Sequence, residues 1–282
     1  MTIKKGDFIE INYTASLVDD GSIFDTTIPD DAEKAGMICE HDHDHGHNHG
    51  HTHVTRDDFK SLKICVGENH VLPGLDEQLI GLNVGEHDII LGEENAFGKK
   101  DSKLLKLMPL NVFKKQKVNP FPGLTVDLDG SRGVVRSVSG GRVIVDFNHP
   151  LSGKTVKYSI SILRKIDDVK EKVESVLSLI RLPYDELVVN NDEVKVKVSM
   201  DLPEDVLKNL KSEVEKVTKT SVVFETKKKV DKVSEKKVED NASDEWVITK
   251  KIYILAHSKH LLKEKIMFFF IARGVLNGWN NK

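Results

Sequence analysis

The chain has 282 residues, 39 % of them hydrophobic and 31 % charged, with a formal net charge of -3 at neutral pH. That length predicts two or three domains, and the near-balanced charge excludes any bulk attraction to nucleic acid. No apolar run approaches the ~20 residues that span a bilayer, the first residues lack a signal-peptide core, and Cys39 and Cys65 make no disulfide framework; a cytoplasmic protein with no nucleic-acid or membrane partner is expected.

Ile9, Ile11 and Tyr13 alternate with Glu10 and Asn12, the period of a half-buried strand, so residues 4–27 read as strand, turn and strand around Asp19-Asp20-Gly21-Ser22. Residues 28–61 are polar, build no core, and are expected to be mobile. Leu62, Ile64 and Val66 share one face of a strand. Pro73 presets a short helix over 75–80, as proline does in a first turn, and another strand is expected over 87–92. Closely spaced turns at Phe121-Pro122-Gly123, Asp129-Gly130 and Ser139-Gly140-Gly141 separate short strand-like runs, so 99–147 reads as a small β domain set into the first. Val156, Tyr158, Ile160 and Ile162 then form a last strand of the first domain.

After residue 165 the pattern changes. Val169, Val173, Val176, Leu177 and Ile180 recur at helical spacing, and Val206, Leu207, Leu210, Val214 and Val217 form a second stripe beginning at Pro203. Strands are expected over 187–189, 194–200, 221–224 and 246–255, and a last helix near Phe269. This part reads as a compact α+β domain without a catalytic cluster. Phe268-Phe269-Phe270 cannot all face one core, so either both sides are buried or part is exposed for self-association.

Three motifs resemble the FKBP-type peptidyl-prolyl isomerases, in their SlyD-like class with a chaperone domain inserted in the flap. They are Tyr13-Thr14-Ala15 with Phe24-Asp25, Val71-Leu72-Pro73-Gly74-Leu75-Asp76, and Ala96-Phe97-Gly98 with Asn148-His149-Pro150-Leu151-Ser152-Gly153-Lys154. The resemblance covers residues 4–165, and the layout beyond is similar to archaeal long members with an extra C-terminal domain. It implies an α+β fold, in which an antiparallel half-barrel wraps a short helix. The isomerase domain is then 1–98 with 148–165, the insert 99–147, and the C-terminal domain 166–282.

It further implies rotation about X-Pro bonds in unfolded or partly folded proteins and proline-containing peptides. Tyr13 and Asp25 are the implied polar groups of the hollow, with Phe24, Leu62, Val71, Leu72, Leu75, Phe97 and Tyr158 as its walls. Leu75 stands on the floor where tryptophan is common, and Phe97 where tyrosine is common. An apolar pocket of this kind needs no nucleophile, metal or cofactor, because it favours the twisted, less polar imide over the planar one.

The insert is implied to bind clients, through Met108, Leu110, Val112 and Phe113; the alternative is that these side chains form the small domain's own core. A separate signal lies at His41, His43, His45, His47, His49, His51 and His53. Alternating imidazoles suit Ni²⁺ or Zn²⁺, with Cys39 as an added thiolate. The alternative for this tract is a solvated loop that takes up metal adventitiously. For the whole chain the readings left open are an isomerase that also acts as a chaperone, a metal-binding or metal-delivery protein on the same scaffold with little catalysis, and an interaction module whose pocket holds proline motifs and releases them unchanged.

Overall fold

A computed structural model describes residues 1–38, 54–128, 131–190, 193–200 and 202–226. The histidine tract with Cys39, and the strand and helix expected after residue 244, lie outside the described residues. The strands in chain order are β1 (Phe8–Leu17), β2 (Ile23–Thr26), β3 (Leu62–Cys65), β4 (Gly85–Leu91), β5 (Leu105–Pro109), β6 (Thr125–Leu128), β7 (Ser131–Ser139), β8 (Arg142–Asp146), β9 (Val156–Ile166), β10 (Tyr184–Asn190), β11 (Glu193–Val198) and β12 (Ser221–Thr226). The helices are α1 (Pro29–Lys34), α2 (Pro73–Leu79), α3 (Leu110–Lys115), α4 (Val169–Leu179) and α5 (Glu204–Thr218).

The chain divides into two compact units. The first holds Met1–Ala15, Ile23–Ile89 and the described residues from Tyr158 on; the second holds Ser16–Ser22 and Ile90–Lys157. In the sheet that carries the site the order is β2-β1-β9-β4, with β3 also on β1. β3 runs antiparallel to the start of β1, from Phe8 opposite Cys65 to Ile11 opposite Leu62. The alternation in β1 has the expected consequence: Ile9, Ile11, Tyr13 and Ala15 are buried, while Glu10, Asn12 and Thr14 are partly exposed. Each buried aliphatic of this kind stabilises the fold by about 1.5–3 kcal/mol.

Of the stretch 28–61, the described residues 28–38 and 54–61 are more structured than their polarity suggested. Pro29 opens α1 and Asp30 and Asp31 sit in its first turn, where acidic groups suit the helix dipole. Ala32 is fully buried and Phe59 nearly so. Thr14 Oγ1 donates to Asp31 Oδ2 at 2.7 Å, tying α1 to β1 and holding the Asp31 carboxyl below its ordinary range. These described residues are anchored by a few contacts rather than by an apolar stripe, and periodicity does not register those.

The residues beyond 165 share a core with the first sheet. β10, β11 and β12 form a three-stranded sheet, in which β11 and β12 run parallel, so α5 is the crossover that parallel neighbours need. Val173, Val176, Leu177, Val196, Val206, Val214 and Val222 pack together with Phe8 and Cys65 of the first sheet. Charges reinforce this join: Arg164 Nε donates to Glu10 at 2.8 Å and Arg164 Nη1 to Glu171 at 3.0 Å, while Lys63 lies 2.7 Å from Glu171. Arg164 and Lys63 hold the Glu171 carboxyl down at about 2, against an ordinary 4.5. Burial also drives the Cys65 thiol up to about 12, helped by the Glu68 and Asp76 carboxylates, so this cysteine is a core residue rather than a reactive thiolate.

The second unit contains a sheet in the order β5-β8-β7-β6. Its core is Phe113 with Val126, Leu128, Val135, Val143 and Val145. A methyl group on Gly133 would stand 2.7 Å from Val145 and 2.9 Å from Phe147; glycine there leaves room for those two side chains. Phe113 is fully buried, and Met108, Leu110 and Val112 pack against the same core. Of the client-binding candidates, then, Phe113 is not on the surface, because α3 follows Pro109 directly and turns it inward. Strand alternation explains Met108: it faces Val143, whereas Leu107 faces Ile144 on the other side. Leu107 is 60 % exposed, and Ile144, Leu105 and Phe121 are also exposed.

Candidate active site

Eight of the nine sequence-predicted pocket residues lie in the first unit and are buried: Tyr13, Phe24, Asp25, Leu62, Val71, Leu72, Leu75 and Tyr158. β1 carries Tyr13, β2 carries Phe24 and Asp25, and β9 carries Tyr158. Tyr13 Oη donates to Asp25 Oδ2 at 2.5 Å, the length of a charge-assisted O–H···O bond. The Tyr13 and Tyr158 rings are 5.8 Å apart and tilted by 50°. Phe24 meets Tyr158 edge to face, 6.2 Å between centroids at 87°, a favoured aromatic geometry. Asp25 is only 1 % exposed, so a carboxylate sits at the heart of an aromatic cluster.

Threonines fix the strand pair that presents these groups. The Tyr13 N–H donates to Thr27 Oγ1 at 2.8 Å, and the Tyr13 carbonyl accepts from the Thr27 N–H and from Thr26 Oγ1. Both threonines are buried. Neither was singled out in the sequence, although Asp25-Thr26-Thr27 directly after an apolar strand is a signal that could have found them.

Val71, Leu72 and Leu75 are placed by α2. Leu72 is its N-cap and Pro73 follows. An N-cap N–H has no partner within its own helix, and proline brings no N–H that would need one. The loop leading into α2 is held by Asp76, whose two oxygens accept the N–H groups of Gly67 and Asn69, each at 2.8 Å. Asn69 adopts a left-handed backbone, φ 55. Burial raises the Asp76 carboxyl above its ordinary value, against the opposing pull of those two N–H groups. Asp76 is thus a positioning residue missed by sequence reasoning, because its partners lie seven and nine residues back and leave no spacing rule to read.

Phe97 belongs to the second unit, partly buried, with its ring stacked on His149 at 5.0 Å and 4°. The two halves of the third motif do meet there: Ser152 Oγ donates to the Phe97 carbonyl at 3.2 Å, and the Gly153 N–H to the Gly98 carbonyl at 2.8 Å. Burial lowers the His149 pKa, and its Nδ1 accepts the Leu151 N–H, which leaves the ring neutral with its proton on Nε2. Among the described residues no His, Cys, Asp and Glu cluster could hold a metal ion, and no helix is long and apolar enough to cross a membrane.

A five-stranded sheet, a short helix opening on proline and three aromatic rings packed around one buried aspartate define the class of fold. Comparison with known proteins places that class. The family model described as FKBP-type peptidyl-prolyl cis-trans isomerase matches residues 1–111, and one described as FKBP26, IF domain, matches 106–151. The chain is 34 % identical over 123 residues to the FKBP-type 16 kDa peptidyl-prolyl cis-trans isomerase of Escherichia coli strain K12, covering 42 % of this chain and 81 % of that protein. It is 26 % identical over 161 residues to a short-type peptidyl-prolyl cis-trans isomerase of Methanocaldococcus jannaschii, covering 57 % and 92 %. It is 29 % identical over 106 residues to the isomerase SlyD of Helicobacter pylori strain J99, covering 36 % and 57 %. The chain belongs to the FKBP-type peptidyl-prolyl cis-trans isomerases and is an isomerase enzyme.

Proposed function

We propose that the hollow around Asp25 catalyses rotation about X-Pro bonds, and that the second unit captures unfolded or partly folded chains for it, in the manner of SlyD-like and long archaeal members. The carrying observation is the Tyr13–Phe24–Tyr158 ring cluster closed around Asp25. A planar imide resists rotation by ~18–20 kcal/mol, and an X-Pro bond isomerises unaided in roughly 10–100 s. Twisting uncouples nitrogen from carbonyl and lowers the polarity of the group, so apolar walls hold the twisted form better than the planar one. Leu75 and Phe24 flank the proline ring, the Leu72 N–H binds the carbonyl ahead of it, and Asp25 sets a fixed negative charge near the rotating carbonyl carbon.

Capture is assigned to the outward face of the second unit's sheet, where Leu107 and Ile144 lie directly opposite each other on neighbouring strands. Exposed aliphatics without fixed partners suit varied clients. Holding a client beside a weak catalytic site raises the local concentration of proline bonds. The test compares two substrates: a short proline peptide, and the refolding of a proline-limited protein. Leu107→Ser with Ile144→Ser is expected to slow only the second; equal loss on both refutes the division of labour.

A second reading, metal binding or delivery on this scaffold, is carried by the seven alternating histidines and Cys39, whose ligand chemistry suits Ni²⁺ or Zn²⁺; isomerisation itself requires no metal. Calorimetric titration with Ni²⁺ is expected to show stoichiometric binding that vanishes when the seven are changed to serine. Unchanged binding after that replacement contradicts the reading.

A further inference from the structure

Charge is spread unevenly along the chain. Residues 99–147 hold seven lysines and three arginines against four aspartates and no glutamate, an excess of six positive charges, while the whole chain stands at -3. Few of these cations are neutralised nearby. Among the described residues, the ion pairs of this stretch are Lys99 with Glu94 and Arg136 with Asp146. Lys103, Lys114, Lys115, Lys117 and Arg142 are exposed and make no ion pair among the described residues. An excess of one sign on a small body draws opposite charge from beyond contact range.

Arg142 stands beside the outward apolar pair. It lies two residues before Ile144 on β8, on the same side of the sheet. Its cross-strand neighbours are Pro109 and Ser139, neither of them charged. Asp146, two residues beyond Ile144, is already occupied: its Oδ2 accepts from Arg136 Nε and Nη2 at 3.0 and 2.9 Å, and its Oδ1 from the Asn148 N–H at 2.9 Å. The face therefore presents Leu107 and Ile144 with an exposed guanidinium at one end.

We propose that the second unit selects acidic, apolar segments of unfolded chains, whose aliphatic side chains lie on Leu107 and Ile144 while a flanking Asp or Glu meets Arg142. The proposal rests on the reading of this face as the capture surface and names the clients that it prefers. A guanidinium is weakly hydrated and matches a carboxylate with two parallel N–H groups, so it gives up little water to meet one at the rim of an apolar contact. The remaining excess charge steers acidic segments in and repels lysine-rich ones. Single-stranded RNA is the other polyanion, but it binds through bases stacked on aromatic rings, and β5, β6, β7 and β8 carry no aromatic residue.

The test uses the full chain and three labelled, unstructured peptides that share one Leu-Val core and differ in flanks of Glu, Gln or Lys. Fluorescence anisotropy gives Kd for each at low and high salt. The Glu peptide is expected to bind about 5- to 30-fold more tightly than the Gln peptide, with the Lys peptide weakest, and the preference to shrink at high salt. Arg142→Glu is expected to weaken the Glu peptide about 3- to 10-fold and to tighten the Lys peptide, whereas Arg142→Lys keeps the wild-type order. Equal binding of the three peptides, or a Glu preference that Arg142→Glu leaves intact, overturns the proposal. So does a single-stranded RNA of the same length that displaces the Glu peptide at physiological salt. If no peptide binds, or if Leu107→Ser with Ile144→Ser binds all three as wild type does, the capture reading fails and the proposal with it. If that pair of changes abolishes binding while wild type takes the three peptides alike, only the selection by charge fails.

Discussion

The hollow around Asp25 and the sheet of the second unit use apolar residues in opposite ways. In the hollow, Tyr13, Phe24 and Leu75 are no more than 3 % exposed, and the Asp25 carboxylate among them takes a short bond from Tyr13. In the second unit, Leu107 is 60 % exposed and its neighbour Ile144 37 %, with the true core reduced to a few valines around Phe113. A group that must favour one twisted geometry of one bond needs walls and charges already in place. A surface that must accept many unfolded segments needs area and no fixed partner. On the proposed reading the difference separates chemistry from capture, and each half is expected to break without the other.

The largest effect falls on the capture side. Phe113→Ala removes the centre of a small core and is expected to cost about 3–5 kcal/mol, enough to unfold the second unit; hydrogen exchange of the amides in 125–146 reads this out, and retained protection contradicts the core assignment. On the chemistry side, Tyr13→Phe deletes the hydrogen bond to Asp25 and is expected to cost roughly 1–3 kcal/mol in denaturant unfolding, with a lower kcat/KM on peptides. The paired changes Leu107→Ser and Ile144→Ser sharpen the contrast: stability stays within about 0.5 kcal/mol, while catalysed refolding of a protein client falls several-fold. The smallest effect concerns neither half. Glu171→Gln weakens the charges joining α4 to the first sheet and costs about 1 kcal/mol or less, as partly exposed pairs do. The Glu171 carboxyl is lower when folded, so its contribution is fully present above pH 4.5 and is lost as pH falls toward about 2. Acid unfolding of Glu171→Gln should lack that component, and an identical acid curve would contradict it.

Much of the chemistry side was legible in the sequence because alternation and turn residues are local. Tyr13, Phe24 and Asp25 lie on strands whose period two is plain, and Pro73 announces α2. What stayed hidden depends on contacts between distant residues. Asp76 reaches back to Gly67 and Asn69, Asp31 reaches Thr14, and Phe8 and Cys65 join a core supplied mostly by residues after 165. Phe113 was ambiguous for a different reason: a short run of apolar residues does not say which face is inward, and the turn from β5 into α3 decides it. The histidine tract and the chain beyond 226 lie outside the described residues.

The claim that the hollow itself performs the rotation is tested most directly by the cis–trans interconversion rate of one X-Pro peptide, measured by NMR exchange with wild type and with Asp25→Ala. The account predicts clear acceleration by wild type and about a tenfold loss or more in a variant whose amide spectrum remains folded. Interconversion at the spontaneous rate with wild type, or equal acceleration by both proteins, would contradict it.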